Sequence, residues 1–301
     1  MYKVITDFGV YPAKLKGSFL SKHRLLEDFP RVGDFVAIEC KENLKMICGV
    51  LTRKNYLSKK VSGNRFDEQV IASNLDTVFI VMGLNQDYNI RRLERYVALL
   101  QYSGIHYVIL LTKVDLNPKY LELMLECKRV GLTDDVFAIS PLYEQNMDIF
   151  NVLIHPNGTY AFIGSSGTGK STIINYLLHE QVQNTFELSS SNKGKHTTTS
   201  REMFFLPSGG IVIDTPGIKE IGLLDMDKEV HTSFIDIEEL AKECRFANCT
   251  HTMEPKCMVK EMIESGLMEE GRLVSYHKLL KEAKYVERKL KIKEKLSKRR
   301  S

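Results

Sequence analysis

Apolar and polar positions follow three different patterns along this chain. Up to residue 68, short segments such as YKVIT, GDFVAIE and MICGVLT alternate apolar with polar residues, or run apolar with β-branched residues, between Gly, Pro and charged turns. This spacing is typical of β-strands with one buried face. It predicts a small β-barrel over residues 1–68. Both an OB-fold and a generic β-domain fit, because periodicity does not distinguish barrel subtypes.

From residue 69 to residue 223 the pattern changes to strands alternating with helices. The segments TVFIVMGL, HYVILLT, VFAIS, YAFIG and GIVIDT are almost continuously apolar, as expected of parallel strands that are covered on both faces. Helical spacing lies between them, for example Leu93, Val97 and Leu100 on one stripe of a segment that stops at Gly104. An α/β domain is predicted here.

From residue 224 to residue 301 strand patterns give way to helical ones. Residues 278–301 carry eleven Lys or Arg and three Glu, a net charge of +8, whereas the whole chain carries +4. This basic tail is predicted to be a helix with Leu279, Ala283, Val286 and Leu290 on its buried stripe. Its lysines either contact a nucleic acid or form a solvated charged face, and both interpretations stay open.

Composition narrows the class of protein. With 301 residues, 43% of them hydrophobic, the chain can form more than one core, which excludes a disordered protein. No segment has the roughly eighteen uncharged apolar residues of a membrane helix, and the first residues lack a signal-peptide pattern, so a cytoplasmic protein outside the membrane is expected. TRKNYLSKK, residues 52–60, places basic side chains around Tyr56, which suits RNA stacking or a solvated loop.

A phosphate-binding loop is predicted at residues 164–171. GSSGTGKS fits G-x4-G-K-[ST], with the strand TYAFI before it and the helical STIINYLLHE after it. Backbone N–H groups and the helix dipole would bind phosphate, Lys170 would bridge the β- and γ-phosphates, and Ser171 would bind Mg²⁺. The predicted nucleotide-binding residues are Gly164, Ser165, Ser166, Gly167, Thr168, Gly169, Lys170, Ser171 and Thr172.

Two further segments are predicted to bind Mg²⁺ and the γ-phosphate together with the phosphate-binding loop. Asp214 ends the strand GIVIDT, where a carboxylate can hold Mg²⁺ through water, and the amide of Gly217 can sense the γ-phosphate. The polar segment between the loop and this strand contains Thr197, Thr198 and Thr199, one of which could supply a second hydroxyl to Mg²⁺. A plain turn and a plain polar loop are the alternatives.

Residues 112–115 predict which base is bound. In Thr112-Lys113-Val114-Asp115 the carboxylate can accept hydrogen bonds from guanine N1–H and the 2-amino group, both of which adenine lacks. The stem of Lys113 can cover the ring. Ser140, at the end of VFAIS, could place its backbone amide near guanine O6. GTP or GDP, with Mg²⁺, is therefore the predicted ligand.

The order of these motifs is unusual, because the guanine motif precedes the phosphate loop. Exchanging residues 77–140 with residues 159–217 produces the usual GTPase order. Circular permutation is tolerated where the ends of a domain lie close together at its surface. A single rearrangement therefore accounts for all four motifs.

A metal site is predicted in the C-terminal segment. Cys244, Cys249, His251 and Cys257 lie within fourteen residues and offer three thiolates and an imidazole. This set suits a closed tetrahedral Zn²⁺ site in a segment with few apolar residues of its own, so one structural Zn²⁺ per chain is predicted. A redox cluster is the alternative, although the spacing contains no C-x-x-C.

With these residues the chain resembles the circularly permuted GTPases called ribosome small subunit-dependent GTPase A, the RsgA, YjeQ or YloQ family. The resemblance rests on VGDFVAIE, on the order of TKVD, phosphate loop, Thr segment and DTPG, and on the Cys-Cys-His-Cys spacing. It implies an OB-fold barrel, a GTPase domain and a zinc domain in a monomer that binds the small ribosomal subunit and its rRNA late in maturation. It further implies GTP hydrolysis stimulated by the subunit. Thr112 departs from the usual Asn, and SPLYEQNMD after Ser140 matches the usual guanine loop loosely.

Catalysis needs a group that activates water. Ile218 follows Gly217 where Ras-like enzymes carry a glutamine, and His196 is the nearest polar candidate, which the resemblance also implies. Two other functions use fewer of these residues. A P-loop ATPase or kinase needs only residues 164–171, and a nonhydrolysing RNA-binding scaffold needs only the barrel and the basic tail.

Overall fold

A central sheet, an N-terminal sheet region and a C-terminal helical region make up the described part of the molecule. The computed structural model describes residues 1–22, 28–41, 44–60, 68–86, 88–178, 203–214, 234–281 and 284. Among these residues no helix combines the length and the apolar character needed to cross a membrane.

Four N-terminal strands form an open sheet. They are β1 (Tyr2–Thr6), β2 (Gly9–Leu15), β3 (Val36–Lys41) and β4 (Leu44–Val50). Their order is β1-β2-β4-β3, in which the β2–β4 pair is parallel and the other pairs are antiparallel. Ala13, Ile47 and Phe19 of helix α1 (Gly17–Lys22) are almost fully buried. The predicted β-rich region is present, whereas the ladders of the described strands do not close into a barrel.

A separate antiparallel pair, β5 (Tyr56–Lys60) and β6 (Glu68–Ser73), follows. The basic segment 52–60 is therefore a strand from Tyr56 onwards, whereas residues 52–55 before it are a loop. Arg53 is also engaged, because its guanidinium donates to the two carboxylate oxygens of the buried Asp34 at 2.7 and 2.8 Å. This ion pair leaves Arg53 less available to RNA than the sequence pattern suggests.

The central sheet has the order β11-β12-β10-β7-β8-β9. Its strands are β7 (Thr77–Gly83), β8 (His106–Thr112), β9 (Val136–Ala138), β10 (Thr159–Ile163), β11 (Met203–Phe205) and β12 (Ile211–Ile213). β11 is antiparallel to β12, and all other neighbours are parallel. The five predicted strands of this region are present, and β11 is an additional one.

Helices cover both faces of this sheet, which explains the continuous apolar runs of its strands. Val78 and Ile80 of β7 pack with α2 (Ile90–Tyr102) and α3 (Tyr120–Gly131). Phe79 and Val81 of the same strand face the other way, towards α4 (Phe150–Leu153) and α5 (Lys170–Leu178). The predicted stripe of α2, Leu93, Val97 and Leu100, is fully buried.

The C-terminal region contains α6 (Ile235–Lys242), α7 (Met258–Glu264) and α8 (residues 270–281). Its apolar residues join the core on the α2 side of the sheet; these are Phe234, Ile237, Val259, Leu273, Tyr276 and Leu279. Leu279 of the predicted tail stripe is thus buried. Ala283, Val286 and Leu290 lie outside the described residues.

Candidate nucleotide and metal sites

The carboxyl ends of four parallel strands carry the predicted nucleotide residues. β10 leads into the phosphate loop, β12 into Asp214, β8 into residues 113–115, and β9 towards Ser140. Because these strands are parallel, their carboxyl ends lie at one edge of the sheet, where α/β proteins bind ligands. Folding therefore brings together residues that are far apart in the sequence.

The phosphate loop packs tightly on the neighbouring strand. At Gly164 φ is 149°, and a Cβ added there would lie 2.2 Å from the carbonyl oxygen of Val81, so a larger residue does not fit. Ser166 and Gly167 at the tip of the loop are exposed. Lys170 Nζ donates to the carbonyl oxygens of Gly164 at 2.8 Å and Ser165 at 2.5 Å. The ammonium thus lies over the loop, the position from which such a lysine bridges the β- and γ-phosphates.

Oxygen donors that suit Mg²⁺ lie beside this loop. Ser171 and Thr172 are in the first turn of α5, and Asp214 follows β12 directly. β12 is the neighbour of β10, since Ala161 pairs with Ile213. A hydroxyl and a carboxylate are the hard ligands that Mg²⁺ prefers, so the donor set fits this ion.

The guanine motif forms a tight turn after β8. Lys113 has a left-handed backbone with φ of 59°, and residues Val114–Leu116 form a 3₁₀ turn that leaves Asp115 exposed. The hydroxyl of the buried Ser140 donates to Asp115 Oδ1 at 2.6 Å. The Ser140 amide donates to the carbonyl of Gln145 at 3.1 Å, and its contact with guanine O6 stays a prediction. In this structure Ser140 therefore orients Asp115 through its hydroxyl.

Thr112 links the guanine motif to the phosphate loop. Its side chain is fully buried, and its hydroxyl lies 2.7 Å from the carbonyl oxygen of Thr168 and 3.3 Å from that of Met82. Although Thr112 replaces the usual Asn, a short polar side chain at this position still connects the two motifs.

The four predicted metal ligands form one cluster that could hold a metal ion. The ligand atoms of Cys244, Cys249, His251 and Cys257 all lie within 4.8 Å of one another. The Cys244 and Cys257 sulfurs are 3.9 Å apart, and His251 Nδ1 lies 3.7 Å from the first and 3.3 Å from the second. In a tetrahedral site with Zn–S bonds of about 2.3 Å, sulfurs are about 3.8 Å apart, so this arrangement fits Zn²⁺.

The loop that carries these ligands is held by a carboxylate. Glu254 accepts backbone N–H bonds from Thr250, Thr252 and Met253 at 2.8, 3.0 and 3.1 Å. The hydrogen bond from the Thr250 hydroxyl, followed by the backbone bonds of Thr250, Glu254 and Thr252, lowers the pKa of Glu254 to about 2. Burial lowers the pKa of His251, which favours the neutral imidazole that binds metal.

Some predicted residues lie outside the described part of the chain. These are His196, Thr197, Thr198, Thr199 and Gly217. Their roles stay predictions.

One residue at the site was missed by sequence analysis. Arg92, in the first turn of α2, donates from Nη1 to the hydroxyl of Ser165 in the phosphate loop. In the sequence it is one of three arginines on the polar side of an amphipathic helix, with Arg91 and Arg95. The sequence signal that could have identified Arg92 is its place in the chain. It lies in the first turn of α2, which follows β7, and the carboxyl end of β7 lies at the site.

The fold and the site define a P-loop nucleotide-binding α/β protein in which the base motif precedes the phosphate loop in the chain. The RsgA GTPase family model matches residues 50–224, more than half of the chain. The chain belongs to this family, as its sequence predicts.

Relatives of known identity match most of the chain. The small ribosomal subunit biogenesis GTPase RsgA of Methanosarcina acetivorans is 41% identical over 266 residues, which cover 87% of this chain and 72% of that protein. The small ribosomal subunit biogenesis GTPase RsgA 1 of Oceanobacillus iheyensis is 40% identical over 293 residues, or 96% of this chain and 83% of that protein.

Solved structures of similar fold agree with this assignment. YjeQ from Thermotoga maritima superposes with a TM-score of 0.63 at 24% identity, covering 92% of this chain and 91% of its own, and this likeness concerns the fold alone. YloQ, described as a circularly permuted GTPase, has a TM-score of 0.54 at 25% identity and covers 85% and 81% of the two chains.

Proposed function

We propose that this protein binds and hydrolyses GTP and acts with the small ribosomal subunit late in its maturation. The observation that carries the proposal is the hydrogen bond from Thr112 to Thr168, which joins the guanine motif to the phosphate loop. It supports a guanine nucleotide because Asp115, the acceptor for two guanine donors, belongs to the same short segment. The relatives named small ribosomal subunit biogenesis GTPase support the role in subunit maturation.

Each part of the site has a distinct role in this proposal. The amides of residues 164–172 and Lys170 bind the phosphates, and Ser171 and Asp214 hold Mg²⁺, which would offset phosphate charge. One of residues 197–199 adds a hydroxyl ligand, and the Gly217 amide senses the γ-phosphate. His196 orients the attacking water.

The regions outside the central sheet are proposed to bind the subunit. An OB-fold region over residues 1–68 and the basic tail contact rRNA, next to a GTPase domain over residues 69–223. Residues 224–301 form a domain around one structural Zn²⁺, which the closed Cys₃His donor set supports. The protein works as a monomer in the cytoplasm, where it meets its substrate GTP and the subunit.

Base specificity tests the proposal. Asp115→Asn should weaken GTP binding and favour xanthosine triphosphate, because an amide can donate to the carbonyl at C2 of xanthine. Affinities for GTP, xanthosine triphosphate and ATP should be measured beside Asp134→Asn, which removes the same charge from an almost fully exposed side chain. Equal binding of ATP and GTP by the unaltered protein would favour the ATPase alternative.

Turnover with purified small subunits tests the partner. The subunit should accelerate GTP hydrolysis from the roughly 10⁻⁴ to 10⁻² s⁻¹ of unassisted GTPases. Subunit binding with no turnover at all would favour the nonhydrolysing RNA-binding scaffold.

A further inference from the structure

The first turn of α2 places a second cation at the phosphate loop. Arg92 donates from its guanidinium to the Ser165 hydroxyl, while Lys170 Nζ donates to the Ser165 carbonyl at 2.5 Å. Two positively charged side chains from different helices therefore meet at one residue of the loop. Lys170 belongs to the predicted phosphate-loop motif in residues 159–217, whereas Arg92 belongs to residues 77–140, the other of the two exchanged segments.

The chemistry of a guanidinium suits the terminal phosphate. Its N–H groups lie in a planar fork that matches phosphate oxygens, and its positive charge is independent of pH in the physiological range. Ser165 directly follows Gly164, where the loop begins, and it holds the lysine that bridges the β- and γ-phosphates. A cation at Ser165 is consequently close to the γ-phosphate end of the nucleotide.

The helix that carries Arg92 is held in place from several sides. Asn89 caps it, because its side-chain oxygen accepts the Arg92 N–H at 3.1 Å. Leu93 on the apolar face is fully buried, and the buried Glu94 accepts from Arg91 at 2.7 Å and from Arg272 at 2.8 Å. A charge on such a fixed element needs little reorganisation when it meets a developing negative charge, which is the condition for strong electrostatic stabilisation.

We propose that Arg92 is a catalytic residue that contacts the γ-phosphate of GTP and stabilises its charge in the transition state. It acts within the same chain and alongside Lys170. This inference rests on the proposed GTPase function. Its consequence is that Arg92 distinguishes GTP from GDP, which has no γ-phosphate, and contributes more to turnover than to ground-state binding.

The test compares Arg92→Ala and Arg92→Lys with Arg95→Ala in the full-length protein. Arg95→Ala removes the same charge one turn further along α2 and serves as the matched control. For each protein, single-turnover GTP hydrolysis, GDP affinity and affinity for a nonhydrolysable GTP analogue are measured without ribosomal subunits. Thermal melting of each variant establishes that it is folded.

Arg92→Ala should slow single-turnover hydrolysis by about 10²-fold or more, the size expected for losing one fixed donor to transition-state charge. It should also lower the preference for the GTP analogue over GDP, while GDP affinity stays near that of the unaltered protein. Arg92→Lys keeps the charge but loses the planar fork of the guanidinium. Its hydrolysis rate should lie between that of Arg92→Ala and that of the unaltered protein. It also decides the question if Arg92→Ala does not fold.

Two outcomes distinguish a failure of the Arg92 proposal from a failure of the proposed GTPase function. Hydrolysis by Arg92→Ala and Arg92→Lys at the rate of Arg95→Ala, with the same preference for the analogue over GDP, overturns the role of Arg92 and leaves the GTPase intact. Absence of hydrolysis and of guanine preference in the unaltered protein overturns both.

Discussion

The central α/β region and the C-terminal helical region are stabilised in different ways. In the first, every residue of β7 after Thr77 is buried, and helices cover both faces of the sheet. In the second, α6 and α7 bury one residue each, Ile237 and Val259, and its other buried apolar residues, Phe234 and three of α8, pack onto the core beside α2. What distinguishes the second region is the Cys₃His cluster and a group of ion pairs around Arg272.

This difference shows how one chain stabilises a large and a small region. The large region buries enough apolar surface to fold on that basis, because the buried fraction rises with size. A region of about fifty described residues has less to bury, and metal ligation can replace much of that stabilisation. The two regions should therefore respond to different substitutions, and the predictions below run from the largest expected effect to the smallest.

Loss of a metal ligand should have the largest effect and should be confined to the C-terminal region. Cys257→Ala should abolish metal binding and unfold residues 234–281, because a structural Zn²⁺ site contributes on the order of 10 kcal/mol of apparent binding free energy. Metal analysis and hydrogen exchange measure the two effects. Cys40→Ala, which removes an exposed thiol, is the control and should retain about one equivalent of Zn²⁺. If residues 234–281 of metal-free Cys257→Ala kept their protection from hydrogen exchange, metal ligation would not be what stabilises the C-terminal region.

A cavity in the sheet core should destabilise the central region next most. Phe79 is fully buried, and its ring stacks on that of Phe162 with centroids 4.8 Å apart. Phe79→Ala should cost about 3–5 kcal/mol, as Phe-to-Ala changes in cores do. Chemical denaturation measures this cost, and Phe205→Ala on the edge strand, where the side chain is 54% exposed, is the control. The idea fails if both variants lose similar stability.

Disruption of the ion pairs between the two regions should come third. Arg272 donates to Glu94 of α2 at 2.8 Å and to Asp236 of α6 at 2.7 Å, and the Glu94 side chain is 2% exposed. Arg272→Ala should cost about 3 kcal/mol, because it leaves a carboxylate buried with fewer partners. The double variant Glu94→Gln with Arg272→Met should recover part of that loss.

A surface ion pair provides the control for Arg272. Lys242 and Glu239 of α6 are both more than half exposed, so Lys242→Ala should cost at most about 1 kcal/mol. A similar loss for the two alanine variants would show that the buried group does not join the regions.

The smallest effect should come from the carboxylate that holds the metal loop. Glu254→Gln weakens the bonds to Thr250, Thr252 and Met253 and should raise the Zn²⁺ dissociation constant by about tenfold, at the low end for groups that orient ligands. The pKa of Glu254 is lowered to about 2 in the folded protein, so its stabilising effect is complete above the usual carboxyl pKa and is lost only as pH falls from there towards 2. Chelator competition measures the Zn²⁺ dissociation constant of each protein. The constant for Glu254→Gln divided by that for the unaltered protein should be the same at pH 6.5 and pH 8. Glu264→Gln on α7 is the exposed control.

Much of the central region was predictable because its signals are local. The apolar runs correspond to β7, β8, β9, β10 and β12, and the stripe of Leu93, Val97 and Leu100 is the buried face of α2. The family prediction is confirmed by the family-model match. Strand β2 was not predicted, because Gly9 and Pro12 interrupt its pattern, and β11 is only three residues long.

The sequence by itself determined five of the six strands of the central sheet, the motifs at the ends of its strands and the set of candidate metal ligands, because spacing and residue type carry that information directly. Tertiary structure alone decided that Arg92 lies against Ser165, 73 positions away, and that Arg272 reaches Glu94, 178 positions away. It also turned the hydroxyl of Ser140 towards Asp115. Such contacts depend on which strands and helices become neighbours and on where each side chain points, and no one-dimensional pattern specifies either.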